Sequence, residues 1–272
     1  MEQFEGKTVV ITGASAGVGA QTARDFAKLG ANLVLIARGE QALNAIADEL
    51  KEKTQVLALS MDVIDLDSCQ NLMLTIEQKF NRIDVLINNA GFHARGEVIS
   101  NTSDNLATMV DVNLRAPIVL SNLVLPYMVK NNKGAIVNVG SLAGRTPLQG
   151  AATYSATKAG LRAFTYALAD EVKNNNINVG LVSPGPIDTG FIMKEIDKVE
   201  DIVFSQPMST VKQVASAILQ VIKGEIVEVS LPKSSGYLTT LSYLFPKLRR
   251  VLRPILYKKG RKAKAAYKKR VS

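Results

Sequence analysis

Residues 1–231 of this 272-residue chain read as a single doubly wound α/β domain, a seven-stranded, mainly parallel sheet with helices on both faces. A basic helical extension follows over 232–272. Two observations predict this. Short runs rich in Val, Ile and Leu recur along the chain without polar alternation, as strands covered on both faces do. Helical segments stand between them, and strand–helix–strand order closes right-handed crossovers into a parallel sheet. With 47% of its residues hydrophobic, the chain is long enough to bury one sizeable core.

The first strand is Thr8 to Thr12, a β-branched run. Gly13-Ala14-Ser15-Ala16-Gly17-Val18-Gly19 follows, and then an amphipathic helix runs to about Leu29 and closes at Gly30. A glycine turn between strand and helix aims backbone N–H groups and a helix N-terminus at a phosphate. A plain tight turn is the alternative, and the position after the first strand favours the phosphate loop. The second strand, Asn32 to Ala37, ends at Arg38. A carboxylate there grips the ribose 2′-hydroxyl of NAD, whereas an arginine suits the 2′-phosphate of NADP. Ala37-Arg38 therefore reads as NADP(H) ahead of NAD(H), against a solvated loop arginine. A helix over 40–52 leads to the third strand, Gln55 to Ser60, and to Asp62-Val63. Asp62 either accepts from an adenine amino group or caps the helix that begins near 65–67.

The fourth strand begins at Asp84 and ends in Asn88-Asn89-Ala90-Gly91; a long helix over 104–130 carries Asn113. The fifth, Gly134 to Val139, leads to Ser141. The sixth, Ile177 to Val182, runs into Pro184-Gly185-Pro186-Ile187-Asp188-Thr189, and the seventh is Glu225 to Leu231. In an open parallel sheet, ligands bind beyond the carboxyl ends of the strands. The Gly13 loop, Arg38, Asp62, Asn89, Ser141 and Pro184 all fall there.

Thr153 to Val172 reads as one helix holding Tyr154 and Lys158. Residues four apart share a helix face. A tyrosine titrates near 10, and an adjacent ammonium favours its phenolate, bringing the phenol towards the range of efficient proton transfer.

Residues 231–272 hold thirteen Lys and Arg and no Asp or Glu, leaving 20 basic and 24 acidic groups in residues 1–230. The basic charge thus belongs to the extension, and the body is mildly acidic. Leu238, Leu241, Phe245, Leu248, Leu252 and Ile255 form an apolar helical stripe, with Arg249, Arg250 and Arg253 expected on the other side. Pro246 and Pro254 are expected to break or kink it into short segments. The leading reading is a peripheral helix on an anionic membrane. A helix docked on the substrate cleft or a subunit partner, with a solvated end, comes second. A nucleic-acid arm is disfavoured because few aromatics interleave the charges.

The opening segment, Met1 to Lys7, does not read as a secretory signal. No uninterrupted apolar run approaches the roughly 20 residues needed to span a bilayer. A cytoplasmic protein, peripheral at a membrane, is expected. Cys69 reads as a small buried apolar side chain in a reducing compartment. With one His and one Cys, no metal site of the usual ligands is expected. His93 is read as a loop histidine in solvent ahead of a pocket residue, and Asp170-Glu171 as a solvated face.

The motifs together identify a resemblance. TGASAGVG at 12–19, DV at 62–63, NNAG at 88–91, Asn113, Ser141, YSATK at 154–158 and PGPIDT at 184–189 make residues 5–231 resemble a short-chain dehydrogenase/reductase with a Rossmann-type fold. The resemblance implies hydride transfer between a nicotinamide and a carbonyl or alcohol carbon. It implies that Tyr154 delivers the proton, Ser141 hydrogen-bonds the same oxygen, Lys158 holds the nicotinamide ribose and depresses the Tyr154 pKa, and Asn113 holds a water in the relay. Gly13, Ser15, Ala16, Gly17, Val18, Gly19, Arg38, Asp62, Val63, Asn89, Ala90, Gly91, Pro184, Gly185, Ile187 and Thr189 join Tyr154 and Lys158 as the cofactor contacts, with Thr189 and the Ile187 backbone on the carboxamide. Ala37-Arg38 matches NADP-preferring members, although Ala16 stands where some of them carry a second basic residue. Relatives pair through two long helices, so a homodimer or homotetramer is expected. The loop over 186–210 has few groups for a charged metabolite, and it favours a hydrophobic, lipid-like carbonyl or alcohol substrate.

Overall fold

The structure is a computed structural model that describes residues 4–224 and 226–271. Its centre is a seven-stranded, wholly parallel sheet in the order β3-β2-β1-β4-β5-β6-β7. The strands are β1 (Thr8–Thr12), β2 (Asn32–Ala37), β3 (Val56–Ser60), β4 (Val85–Asn88), β5 (Gly134–Val139), β6 (Ile177–Pro184) and β7 (Glu228–Leu231). Glu225, the expected start of the seventh strand, lies outside the described residues, as do Met1 to Gln3.

Both faces of the sheet are buried, which is why its strands lack polar alternation. Val9 and Ile11 enter one core with α1 (Gly17–Lys28), α2 (Glu40–Lys51) and, from later in the chain, α8 (Val211–Ile222). Val10, Val34 and Leu86 enter the other core, with Leu72 of α3 (Leu66–Phe80). There too pack Leu120 and Val124 of a long helix built from α4 (Ser103–Val110), a wider turn over 111–115 and α5 (Ala116–Lys130), and Leu168 of α6 (Ala152–Val172). Residues 103–130 are long and apolar enough to cross a membrane by length and composition. Their buried face, with Leu120, Val124 and Met128 wholly enclosed, makes them a core helix here.

Beyond β6, the short α7 (Gly190–Met193) and two tight turns, Ile196–Lys198 and Asp201–Ser205, precede α8 (Val211–Ile222). Thr210 and Gln213 cap α8 reciprocally, so its first orphan donors are satisfied by its own sequence.

The extension forms α9 (Lys233–Leu244) and α10 (Pro246–Val271). Pro246 starts α10, the helix position where a missing N–H costs nothing. Contrary to expectation, Pro254 does not break it. The carbonyl four residues earlier belongs to exposed Arg250, where water can serve as donor. The docked reading describes the C-terminal half of α10. Tyr257 donates to Glu200 at 3.0 Å, Arg261 pairs with Asp201 at 3.2 Å, and Lys264 donates to the Val199 carbonyl at 2.6 Å. Lys268 pairs with Asp197. Ala263 and Tyr267 pack on the cluster of Ile192, Ile196, Val199 and Phe204. The basic end is therefore helical rather than a solvated tail, because residues 196–205 present carboxylates and carbonyls to its lysines.

Candidate active site

The site is assembled from the loops at the carboxyl ends of the strands. At the end of β1 the chain turns through Gly13 and Gly17, with φ of 66° and 56°. This left-handed region costs other residues about 1–2 kcal/mol. A side chain on Gly13 would lie 2.9 Å from the Asn89 amide nitrogen, and one on Gly19 would collide with the Gly13 carbonyl. Gly19 is therefore small so that α1 can approach the turn. The N-terminus of α1 has no side-chain cap and no acidic residue in its first turn. Its free N–H groups and positive dipole end remain available to a phosphate.

Asn89 locks this turn to the end of β4. Its amide donates to the carbonyls of Thr12 at 2.9 Å and Gly13 at 3.2 Å, while its N–H donates to the Thr12 hydroxyl at 3.0 Å. Arg38, 68% exposed in its side chain, stands 3.7 Å from Asp62. The Asp62 carboxylate accepts from the Ile64 N–H at 3.2 Å, and the cap of α3 is instead Asp65, which accepts from Asp67. The helix-cap alternative for Asp62 is thereby corrected: the helix starts at Leu66, so the residue before it takes the cap.

Asn113 sits in the widened turn within the long helix and is fully buried. Its side-chain oxygen accepts from the Phe92 N–H at 2.9 Å, and its amide donates to the Phe92 carbonyl at 2.7 Å and faces the Thr157 hydroxyl at 3.5 Å. Widened turns of this kind mark functional sites. In the structure the side chain pins the loop after β4.

Ser141 follows β5 and accepts from the Ala143 N–H at 3.1 Å. A side chain on nearby Gly144 would stand 2.6 Å from the Lys158 carbonyl group, so this glycine lets the serine turn lie directly on α6. Tyr154 and Lys158 share that helix, and the Lys158 ammonium lies 5.9 Å from the Tyr154 ring centre. Lys158 is 5% exposed and donates to the Val139 carbonyl at 2.8 Å; burial pushes its pKa down to about 8. The expectation that it makes Tyr154 acidic is corrected. Burial pushes the phenol above its ordinary value, and hydrogen bonding from Ser141 and the positive charge of Arg95 offset this only in part. The shared helix face is right, but the lysine's proton is directed at a carbonyl.

His93 is not a solvent residue either. Its ring lies flat on Tyr154, with centroids 4.2 Å apart and planes 11° apart. Burial, then the charges of Arg95 and Lys158, hold its pKa down to about 3. Arg95, which no local sequence pattern singles out, is the other unexpected member of the site.

His93, Arg95, Ser141, Tyr154 and Lys158 line one cavity of about 1370 Å³. Its wall includes Gly13, Ala16, Gly17, Val18, Asn89, Ala90, Gly91, Ser141, Tyr154, Lys158, Pro184, Gly185, Ile187 and Thr189. Ser15, Gly19, Arg38, Asp62, Val63 and Asn113 are not among the residues lining it. The cavity continues to Leu238, Leu241, Leu248, Leu252 and Leu256 of the extension. The apolar stripe is therefore divided: Phe245 and Ile255 are exposed and outside the wall. Arg249, Arg250 and Arg253 line the cavity rather than an opposite face, because the chain breaks at Phe245 and long side chains reach around a helix.

A parallel sheet with a glycine turn after its first strand, and a serine, a tyrosine and a lysine converging at its carboxyl edge, defines a dinucleotide-binding fold with an acid–base site. Residues 7–200 match the family described as short chain dehydrogenase, and the chain belongs to that family. It is 40% identical over 195 residues to an NADP-dependent 3-hydroxy acid dehydrogenase of Schizosaccharomyces pombe, covering 70% of this chain and 75% of that protein. It is 34% identical over 235 residues to the ketoacyl reductase HetN of Nostoc, covering 84% of this chain and 79% of that one. Among solved structures, a short-chain dehydrogenase from Sphingobium yanoikuyae in complex with NADPH superposes with a TM-score of 0.74 at 30% identity, covering 83% of this chain and 88% of that one. A metagenomic short-chain oxidoreductase in complex with NADP gives 0.72 at 28% identity, covering 84% and 97%.

Proposed function

We propose that this chain is an NADP(H)-dependent oxidoreductase that interconverts a carbonyl and an alcohol on a hydrophobic substrate. The observation that carries the reading is a single cavity running from the Gly13 turn, past Ser141, Tyr154 and Lys158, to the leucines of α9 and α10. The residues fit the cofactor. The uncapped N-terminus of α1 suits the pyrophosphate, and Arg38 suits a 2′-phosphate. Thr189 and the Ile187 backbone suit the nicotinamide carboxamide, with Pro184 and Gly185 as further cofactor contacts. When bound, the cofactor supplies or accepts a hydride at the substrate carbon.

In the reductive direction the Tyr154 hydroxyl gives its proton to the substrate oxygen, and Ser141 donates a hydrogen bond to that oxygen as negative charge grows on it. Lys158 offers its ammonium to the ribose. Asn113 holds the Phe92 backbone, and with it the loop that backs Tyr154. The cofactor named for the Schizosaccharomyces relative and held by the two solved structures supports NADP(H). Oxidation of NADPH by long-chain ketones or 3-oxo esters faster than by short polar ketones is the expected result. The reverse order contradicts the hydrophobic substrate.

Residues 1–231 form the catalytic unit in this reading, and 232–272 complete its cavity wall. The outer side of the extension exposes Tyr237, Leu244, Val251 and Ile255 among its basic residues, which suits an anionic membrane. Co-sedimentation with phosphatidylglycerol vesicles, reduced in Val251→Glu/Ile255→Glu, is the expected result, and equal sedimentation contradicts it. Exposed Val110, Ile118, Val129 and Tyr166 on the long helix and α6 suit a homodimer or homotetramer. Sedimentation equilibrium giving only monomer contradicts this.

A further inference from the structure

The loop after β4 puts two side chains behind the Tyr154 phenol that the proton transfer itself does not use. The His93 ring covers one face of the Tyr154 ring at 4.2 Å. Behind it, an Nη1 of Arg95 lies 3.2 Å from His93 Nδ1. A guanidinium carries donors only, so Nδ1 accepts, and neutral His93 holds its proton on Nε2. The remaining arms of Arg95 are also engaged. Nε donates to Glu195 at 3.2 Å and Nη2 to the Phe191 carbonyl at 2.6 Å, with the side chain 7% exposed. Arg95 thus joins the loop backing Tyr154 to the segment that follows β6 over the substrate cavity.

We propose that His93 and Arg95 form a positioning pair for Tyr154: the imidazole fixes the plane of the phenol, and the guanidinium, clamped by Glu195 and Phe191, supplies a fixed positive field at it. This rests on the reading of Tyr154 as the proton donor. Around the phenol, the Lys158 ammonium of its own helix lies 5.9 Å from the ring centre, His93 stacks on the ring, and the Ser141 hydroxyl hydrogen-bonds the phenol. Arg95 bonds to His93, and Glu195 beyond α7 pairs with Arg95 and with Lys198. Lys158 directs its ammonium at the Val139 carbonyl, and Arg95 is held by the Phe191 carbonyl and Glu195 while also bonding to the ring that covers the phenol. Glu195 opposes Arg95, since its carboxylate partly cancels the same field. The two variants that remove these charges therefore act with opposite signs. A merely structural contact does not behave in that way.

The test is a ¹³C NMR titration of tyrosine Cζ in the full chain saturated with NADP+, with the Tyr154 resonance assigned by its loss in Tyr154→Phe. Arg95→Met is expected to raise the Tyr154 pKa by about one unit or more, and Arg95→Lys to restore part of that shift. Glu195→Gln is expected to lower it. His93→Phe keeps the stacked plane but loses the acceptor for Arg95, and is expected to raise it by less than Arg95→Met. Shifts of the same sign in Arg95→Met and Glu195→Gln, or an unchanged Tyr154 titration in both, overturn the proposal. If Arg95→Met does not fold, Glu195→Gln carries the test at a 43% exposed side chain, and an unmoved or raised pKa there overturns it. Turnover is not read, so absence of NADPH oxidation, which defeats the oxidoreductase reading, is a separate result.

Discussion

Lys158 shows what the site costs the fold. An ammonium that titrates near 10.5 in a free chain is held at about 8 by burial, a difference worth about 3 kcal/mol. The folded state binds this proton less tightly than the unfolded chain, so this group opposes folding at neutral pH. Stability from it is recovered as pH rises from about 8 towards 10.5. Lys158→Met is therefore expected to raise the melting temperature at pH 7 while removing turnover, as thermal unfolding paired with NADPH oxidation would show. A lower melting temperature contradicts the assignment of a cation whose burial costs more than its bond to the Val139 carbonyl returns. Local spacing made the shared face of Tyr154 and Lys158 legible in the sequence, because i and i+4 are neighbours on any helix. It did not show where the lysine's donors go, nor Arg95, which reaches Tyr154 through His93 from another loop.

At the scale of elements, the glycines divide into those a sequence reader can place and those only packing explains. Gly13 and Gly17 follow a strand and open a helix, a local signature. Gly144 and Gly260 carry no such signature, because what they avoid is distant in sequence. Gly144 lies against the backbone of α6, and Gly260 against the backbone of Asp201. Gly144→Val is expected to lift the Ser141 turn from α6 and cut kcat by at least about 100-fold, the lower range for loss of acid–base or oxyanion geometry. NADP+ affinity, measured by calorimetry, is expected to hold. Gly260→Leu is expected to push α10 off residues 201–205, seen as faster hydrogen exchange over 246–271 with little change in the sheet. Unchanged exchange contradicts the docking of the extension. The extension itself was half legible: its helical stripe was correct, but the break at Phe245 splits that stripe between the cavity and the outside.

Across the whole molecule, a buried carboxylate ties the far edge of the sheet to the active-site loops. Glu228 on β7 accepts from Arg162 at 2.9 Å and Tyr166 at 2.9 Å on α6, and from Ser183 at 2.7 Å on β6. It also pairs with Arg145 at 2.6 Å in the loop after β5. Burial raises its pKa, but the bonds from Arg145 and Ser183 outweigh that and hold it below its ordinary value. A depressed carboxylate contributes stability above its unfolded pKa, and that stability is lost as pH falls through the folded value. Denaturant titrations are expected to show Glu228→Gln less stable than the parent at pH 7, with the gap closing below about pH 4. A constant gap across that range contradicts the ionised network. No sequence pattern announced it, since its members are separated by up to 83 positions and meet only because β5, β6 and β7 are adjacent.

The central claim is that Tyr154 delivers the proton to the substrate oxygen through its hydroxyl. The direct measurement is NADPH oxidation by Tyr154→Phe across a panel of 3-oxo esters and long-chain ketones, alongside NADPH affinity. The account predicts a fall in kcat of at least about 100-fold with affinity little changed. Turnover in Tyr154→Phe close to that of the parent would contradict it.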